Sequence, residues 1–105
     1  MVFQIGATLL DACVLSVLRG EDTYGYSLTQ TLRGSLDISE STLYPVLRRL
    51  QKEACLTVRD EAYQGRNRRY YSITEKGMEK AREYRGAWED FRGRVDGLIL
   101  GGAAS

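Results

Sequence analysis

The chain has 105 residues, room for one ordinary domain, with 43% hydrophobic and 28% charged residues and a formal net charge of +1; this is a globular balance and excludes a chain that coats nucleic acid with basic charge all over. No apolar run approaches the roughly 18–20 residues of a membrane span, and no basic stretch with a cleavage site opens the chain, so no membrane partner is expected and a cytoplasmic location is. Histidine is absent, the cysteines are only Cys13 and Cys55, and no phosphate-binding or nucleophile motif occurs, so no catalytic residue, metal site or cofactor is expected.

Residues 5–19 read as a helix that is apolar nearly all round. Ile5, Leu9, Leu10, Cys13, Val14, Val17 and Leu18 fill one side, and Ala12 and Leu15 extend it. Such a helix must be covered on most faces, one by its own core and another by a partner chain. Gly20 is its expected C-terminal cap. Thr23 is the expected N-cap of a second helix running to Arg33, with Leu28 and Leu32 as its stripe and Gly34 as its stop. Ser39 caps a third helix, with Ile38 and Leu43 in the positions of a hydrophobic staple. Leu43, Leu47 and Leu50 then share one face. Pro45, beyond the first turn, forfeits a backbone bond to Ser41 and should bend or loosen the start of that helix.

From Leu56 the period changes to two. Leu56 and Val58, then Tyr71 and Ile73, mark two short strands around a basic turn at 63–68 that contains Gly65 and Asn67. Thr74 caps a last helix that opens with Glu75. Along it Ala81, Tyr84, Trp88, Phe91, Val95 and Leu98 lie alternately three and four residues apart, a heptad seam. Gly101 to Ser105 is expected to fray.

Three helices, a two-stranded hairpin and a long final helix form the order of a winged helix-turn-helix. The predicted fold is therefore mainly α with one β-hairpin. Residues 1–74 form a winged-helix DNA-binding domain, to whose dimer helix 5–19 contributes, and 75–100 form a C-terminal dimerisation helix. The third helix, read as recognition helix 39–53, would enter the major groove of double-stranded DNA with its N-terminal residues leading. Its candidate contacts are the hydroxyls of Ser39, Ser41, Thr42 and Tyr44 and the cations Arg48, Arg49 and Lys52. The wing, 63–69, offers Gln64, Arg66, Asn67, Arg68 and Arg69 to the neighbouring backbone or minor groove. The alternative is a winged-helix dimer that binds a ligand or a protein without reading DNA; cations on both elements weigh against it.

Neither the first nor the last helix can hide its apolar area within one protomer. Leu9, Leu10 and Val14 of the first, with Tyr84, Trp88, Phe91, Val95 and Leu98 of the last, are the expected homodimer interface. The indole of Trp88 is too wide for a close seam. With Tyr84 and Phe91 on either side, it is expected to wall a site for a small aromatic or drug-like effector, the alternative being a plain interface anchor.

Ser41-Thr42-Leu43-Tyr44-Pro45, followed by Leu47, Arg49 and Leu50, resembles the recognition-helix signature of PadR-like regulators when read from Ser39. Tyr24-Gly25-Tyr26 is similar to the segment that opens that family's second helix, which places Tyr24 among the candidate DNA contacts. Arg69-Tyr70-Tyr71-Ser72-Ile73-Thr74-Glu75-Lys76-Gly77 resembles its strand-to-helix block. The resemblance covers nearly the whole chain, in order, and is to the short subgroup that ends in one long helix. It implies a homodimeric transcriptional regulator, usually a repressor, whose first and last helices form the dimer; small aromatic or drug-like effectors release some members from DNA. There is one departure. The family commonly places glycine after the third helix, where this chain has Glu53-Ala54-Cys55. Alanine in a left-handed cap costs roughly 1 kcal/mol, so either the turn differs or the position is strained.

Overall fold

The computed structural model describes residues 2–101; of the tail predicted to fray, residues 102–105 lie outside them. The elements are α1 (Ala7–Gly20), β1 (Thr23–Tyr24), α2 (Gly25–Leu36), α3 (Glu40–Lys52), β2 (Leu56–Tyr63), β3 (Arg66–Ile73) and α4 (Glu75–Ile99). The caps read from the sequence at Ser39 and Thr74 are present: each side chain accepts a hydrogen bond from the backbone N–H three residues on. α3 runs unbroken through Pro45.

Several boundaries differ from the sequence reading. Thr23 is not an N-cap. Thr23 and Tyr24 pair antiparallel with Tyr71 and Tyr70, so the sheet has three strands in the order β1-β3-β2 where the sequence predicts two. α2 starts behind Tyr24 with no side-chain cap, passes through Gly34 and stops at Leu36. It is closed by Asp37 in the left-handed conformation (φ 54°), whose N–H donates to the Arg33 carbonyl. Gly34 does not end the helix because Leu36, two residues further, packs against the core. Gly20 is the last helical residue of α1, and extended Glu21 ends it.

The hairpin is longer and tighter than predicted. β2 and β3 pair from Leu56↔Ile73 to Tyr63↔Arg66, which leaves a two-residue turn. Gln64 (φ 49°) and Gly65 (φ 77°) both adopt positive φ there. That is the mirror-image turn whose twist matches the strands it joins. The projecting part of the ladder has no apolar alternation to reveal it. Opposite charges face each other across it instead, at Asp60↔Arg69 and Glu61↔Arg68.

The core unites Leu10, Val14, Leu15 and Leu18 of α1 with Leu28 and Leu32 of α2, the Leu43, Val46, Leu47 and Leu50 face of α3, and Leu56, Tyr71 and Ala81. Each leucine buried in this way contributes about 1.5–3 kcal/mol. Leu10 (3% exposed) and Val14 (fully buried) thus sit inside the protomer's own core and have no surface left to give to a partner.

α4 is fixed to the body most closely at its first turn and then runs beside α1. A side chain at Gly77 would put its Cβ 2.3 Å from the Cys55 carbonyl oxygen and 2.7 Å from Ile73 Cγ1, so only glycine lets the helix come this close. The same junction settles the departure noted above. Ala54 does adopt the left-handed conformation (φ 64°), so the turn is kept and alanine bears its strain. Thr74 and Lys76 hold that turn. The Thr74 hydroxyl donates to the Ala54 carbonyl (2.7 Å), the Thr74 N–H to the Cys55 carbonyl (3.0 Å) and the Lys76 ammonium to the Glu53 carbonyl (2.7 Å).

Candidate nucleic-acid interface

The start of α2, the outer side of α3 and the wing enclose one concavity of about 640 Å³. Tyr24, Tyr44, Arg48, Arg66, Asn67, Arg68 and Arg69 all line it, together with Tyr26, which was not singled out in the sequence. Tyr71 lies at its inner wall, and burial pushes its phenol above the usual tyrosine range, an effect that Arg69 opposes. Among the described residues Arg48, Lys52 and Arg66 form no ion pair. Arg69 lies 3.6 Å from Asp60 across the hairpin, mostly exposed. At the start of α3 the hydroxyls of Ser39, Ser41 and Thr42 form an exposed cluster, Ser39 lying 2.9 Å from Ser41 and 3.0 Å from Thr42. Gln64 is exposed in the turn of the wing.

Arg49 does not join this face. Its guanidinium forks onto the carboxylate of Asp11 in α1 and lies 3.6 Å from Glu53. Asp11 is 4% exposed, so the pair fastens α3 to α1 from within. The Asp11 hydrogen bond holds the Arg49 pKa above the ordinary arginine range against the cost of burial. Sequence reasoning missed Asp11. The signal was there, a lone acid in an otherwise apolar helix, since buried charges are paired. Arg59 was missed as well. It bonds Asp22, Glu61 and Ser72 and lies 5.0 Å from the centre of the Tyr70 ring. It thus ties the base of the wing to the chain ahead of β1, and those two carboxylates raise its pKa, Glu61 first.

A separate surface, between α1 and α4, is largely apolar. Between α1 and α4 runs a groove of about 350 Å³ lined by Leu9, Ala12, Cys13, Ser16, Leu36, Tyr84, Arg85 and Trp88. It adjoins a second of about 220 Å³ between Leu9, Ala12 and the Tyr84, Trp88 and Phe91 side chains. The Trp88 and Phe91 rings stand 6.4 Å apart at 48°. Trp88 is 42% exposed, Phe91 59% and Leu98 84%, while Val95 is partly covered. The structure therefore brings Leu9 together with Tyr84, Trp88 and Phe91. Burial raises the pKa of Cys13 in the groove wall, which keeps it a thiol. Among the described residues no cluster of His, Cys, Asp or Glu could hold a metal ion, and no helix is long and apolar enough to cross a membrane.

Residues 14–83 match the transcriptional regulator PadR-like family. The chain is 36% identical over 96 residues to the transcriptional regulator Rv3488 of Mycobacterium tuberculosis, covering 90% of this chain and 88% of that one. Among solved structures it is similar to the smu.1704 protein of Streptococcus mutans (TM-score 0.88, 32% identity, covering 97% of this chain and 96% of that one). It is similar also to a PadR-like transcriptional regulator of Bacillus cereus (TM-score 0.80, 34% identity, covering 89% and 93%).

Proposed function

Because this chain belongs to the PadR-like family of transcriptional regulators, we propose that it is a cytoplasmic repressor that binds operator DNA as a homodimer. Residues 1–74 serve as the DNA-binding unit and 75–100 as the dimerisation helix. The observation that carries this reading is the convergence of α2, α3 and the wing on one concavity, with Arg48 and Arg66 on it and in no ion pair among the described residues. Cations held without internal partners on two converging elements suit a phosphate backbone, whose condensed counterions they displace. The start of α3 enters the major groove, where Ser41, Thr42 and Tyr44 meet base edges and phosphates. Arg48 and Lys52 follow the backbone, and Arg66 takes the wing's contact. Exposed Trp88, Phe91 and Leu98 on one seam support assembly through α4, with Leu9 of α1. The apolar grooves beside Trp88 support an effector that is small and aromatic and stacks on the indole.

The decisive experiment titrates the duplex upstream of the protein's own gene against an unrelated duplex across a range of salt. Tighter binding to the first is expected, with a slope that grows by about 0.9 per phosphate neutralised. Arg48→Ala with Arg66→Ala should flatten the slope by about two units. Equal and salt-insensitive binding to both duplexes would leave a winged-helix dimer that does not read DNA. A reporter behind that duplex should rise when the protein is removed; a fall would make it an activator. Phe91→Asp should turn a sedimenting dimer into a monomer, and an unchanged assembly refutes the seam. Planar dyes should quench Trp88 at micromolar concentration, and Trp88→Ala should abolish their binding while the dimer persists.

A further inference from the structure

The wing reaches beyond the body with little to hold it. β1 covers β3 only at Tyr70 and Tyr71, and from Arg69 to the turn β3 has β2 alone as neighbour. Glu61, Ala62, Tyr63, Arg66 and Asn67 there are all exposed. A two-stranded ribbon with no buried face is marginal in water. A loose wing would also lose its conformational freedom each time it met a partner, which weakens binding.

One side chain in this stretch is partly covered, that of Arg68. Its guanidinium carbon lies 3.8 Å from the centre of the Tyr63 ring and 4.2 Å from that of Tyr24. The strand register explains the meeting. Tyr63 pairs with Arg66 and Tyr24 with Tyr70, so both rings stand on the face of the sheet that carries Arg68. The column continues into the body, because Tyr24 stacks on Tyr26 in the first turn of α2 (6.3 Å between centres, 21° between planes). A guanidinium is planar and weakly hydrated, so it lies well against aromatic faces, and a lysine ammonium would not reproduce that fit.

We infer that Arg68 is a positioning residue and not a phosphate contact: flanked by Tyr63 and Tyr24, it braces the projecting end of the wing against the start of α2, so that Arg66 is presented on an ordered hairpin. This rests on the reading of the face as a DNA interface. Arg66 and Arg68 are alike in sequence and lie on the same face of β3, yet only Arg68 has aromatic partners of this kind. Arg66 remains for the backbone.

The test uses a random-sequence duplex of about 30 base pairs, titrated at several salt concentrations, together with amide exchange across residues 59–69. Arg66→Ala should flatten the salt slope by about one unit. Arg68→Ala should leave the slope unchanged and weaken binding about tenfold at every salt concentration, the loss of two cation–π faces. Arg68→Lys, which keeps the charge, should recover only part of it. Tyr63→Leu should match Arg68→Ala, the two together should weaken binding no further, and Tyr63→Phe should behave as the wild type. Exchange in the wing should quicken in Arg68→Ala with the melting temperature of the domain unmoved. A slope lowered by one unit in Arg68→Ala, with full rescue by lysine and no effect of Tyr63→Leu, overturns the inference. Should the wild-type protein fail to bind the duplex, exchange alone decides: faster exchange in Arg68→Ala keeps the brace and removes the DNA reading, and unchanged exchange removes the brace.

Discussion

At its first turn α4 is wedged beneath the exit of α3; further along, it runs beside α1, with Trp88, Phe91 and Leu98 exposed. The two regions are built by opposite rules. In the first, every carbonyl of residues 53–55 has a donor from Thr74 or Lys76, Gly77 removes the space a side chain would need, and Arg49 forks onto a buried acid nearby. In the second, the walls are apolar and grooved, and among the described residues neighbouring charges pair along the helix, as Arg85–Glu89 and Arg94–Asp90. Polar satisfaction is concentrated where α3 must be aimed. Apolar surface is left where another molecule can cover it. A contrast of this kind predicts large stability effects at the junction and small ones on the exposed half of α4.

The largest effect is expected at Arg49. Arg49→Met leaves the Asp11 carboxylate buried and unpaired, which should cost about 3 kcal/mol, the low end for a broken buried pair because the Arg49 side chain is itself 38% exposed. Arg48→Met, one residue away and without an ion pair, should stay within about 0.5 kcal/mol. Urea midpoints at one fixed protein concentration measure both, and equal losses would erase the distinction between the two sides of α3.

The glycines of α4 offer a sharper contrast. Gly77→Ala drives a methyl into the Cys55 carbonyl, an overpacking that should cost about 2 kcal/mol. At Gly86 and Gly93 a new Cβ would meet nothing within 4 Å. Alanine there should stabilise the helix by up to about 1 kcal/mol each, as the propensity difference in an exposed helix interior. Thermal unfolding of the three variants checks the signs. A gain at Gly77, or a loss at Gly93, would mean that the two halves of α4 are not packed differently after all.

Most of the elements were legible because their signals are local. Ser39 and Thr74 announce helix starts by their own chemistry, and Leu43, Leu47 and Leu50 announce a buried face by spacing. What was not legible depends on partners far along the chain. Thr23 looks like an N-cap until Tyr71 is seen pairing with it across the sheet. The wing ladder beyond Arg59 carries charged residues on both faces, so its period is silent and only the cross-strand pairs reveal it. Arg49 and Arg48 cannot be told apart by composition. The turn of about 100° between successive helical residues sends one to Asp11 and the other to the concavity. Leu10 and Val14 read as partner-facing because α1 is apolar nearly all round; the leucines of α2 and α3 in the same core, Leu28, Leu32, Leu43, Leu47 and Leu50, cover that side from within the protomer.

The smallest effect belongs to Ala54, and there the direction is reversed. Its φ of 64° places Cβ against the following carbonyl, a strain of about 1–2 kcal/mol that glycine does not feel. Nothing in the turn depends on the methyl group. Ala54 is exposed, its N–H donates to the Gln51 carbonyl (3.0 Å), and its carbonyl is held by Thr74. Glycine can therefore replace it with every hydrogen bond intact. Against the relief stands the greater freedom of a glycine in the unfolded chain, worth about 0.4–1 kcal/mol. The net should be a gain of roughly 0.5–1 kcal/mol, which for a domain of this size raises the melting temperature by about 3–6 °C. The gain should appear without any change in assembly, since the turn lies at the junction and away from the grooves. A lower melting temperature for Ala54→Gly would show that the junction tolerates its strain because the methyl packs there, and the contrast between a sealed junction and an open face would then extend to a residue that looks exposed.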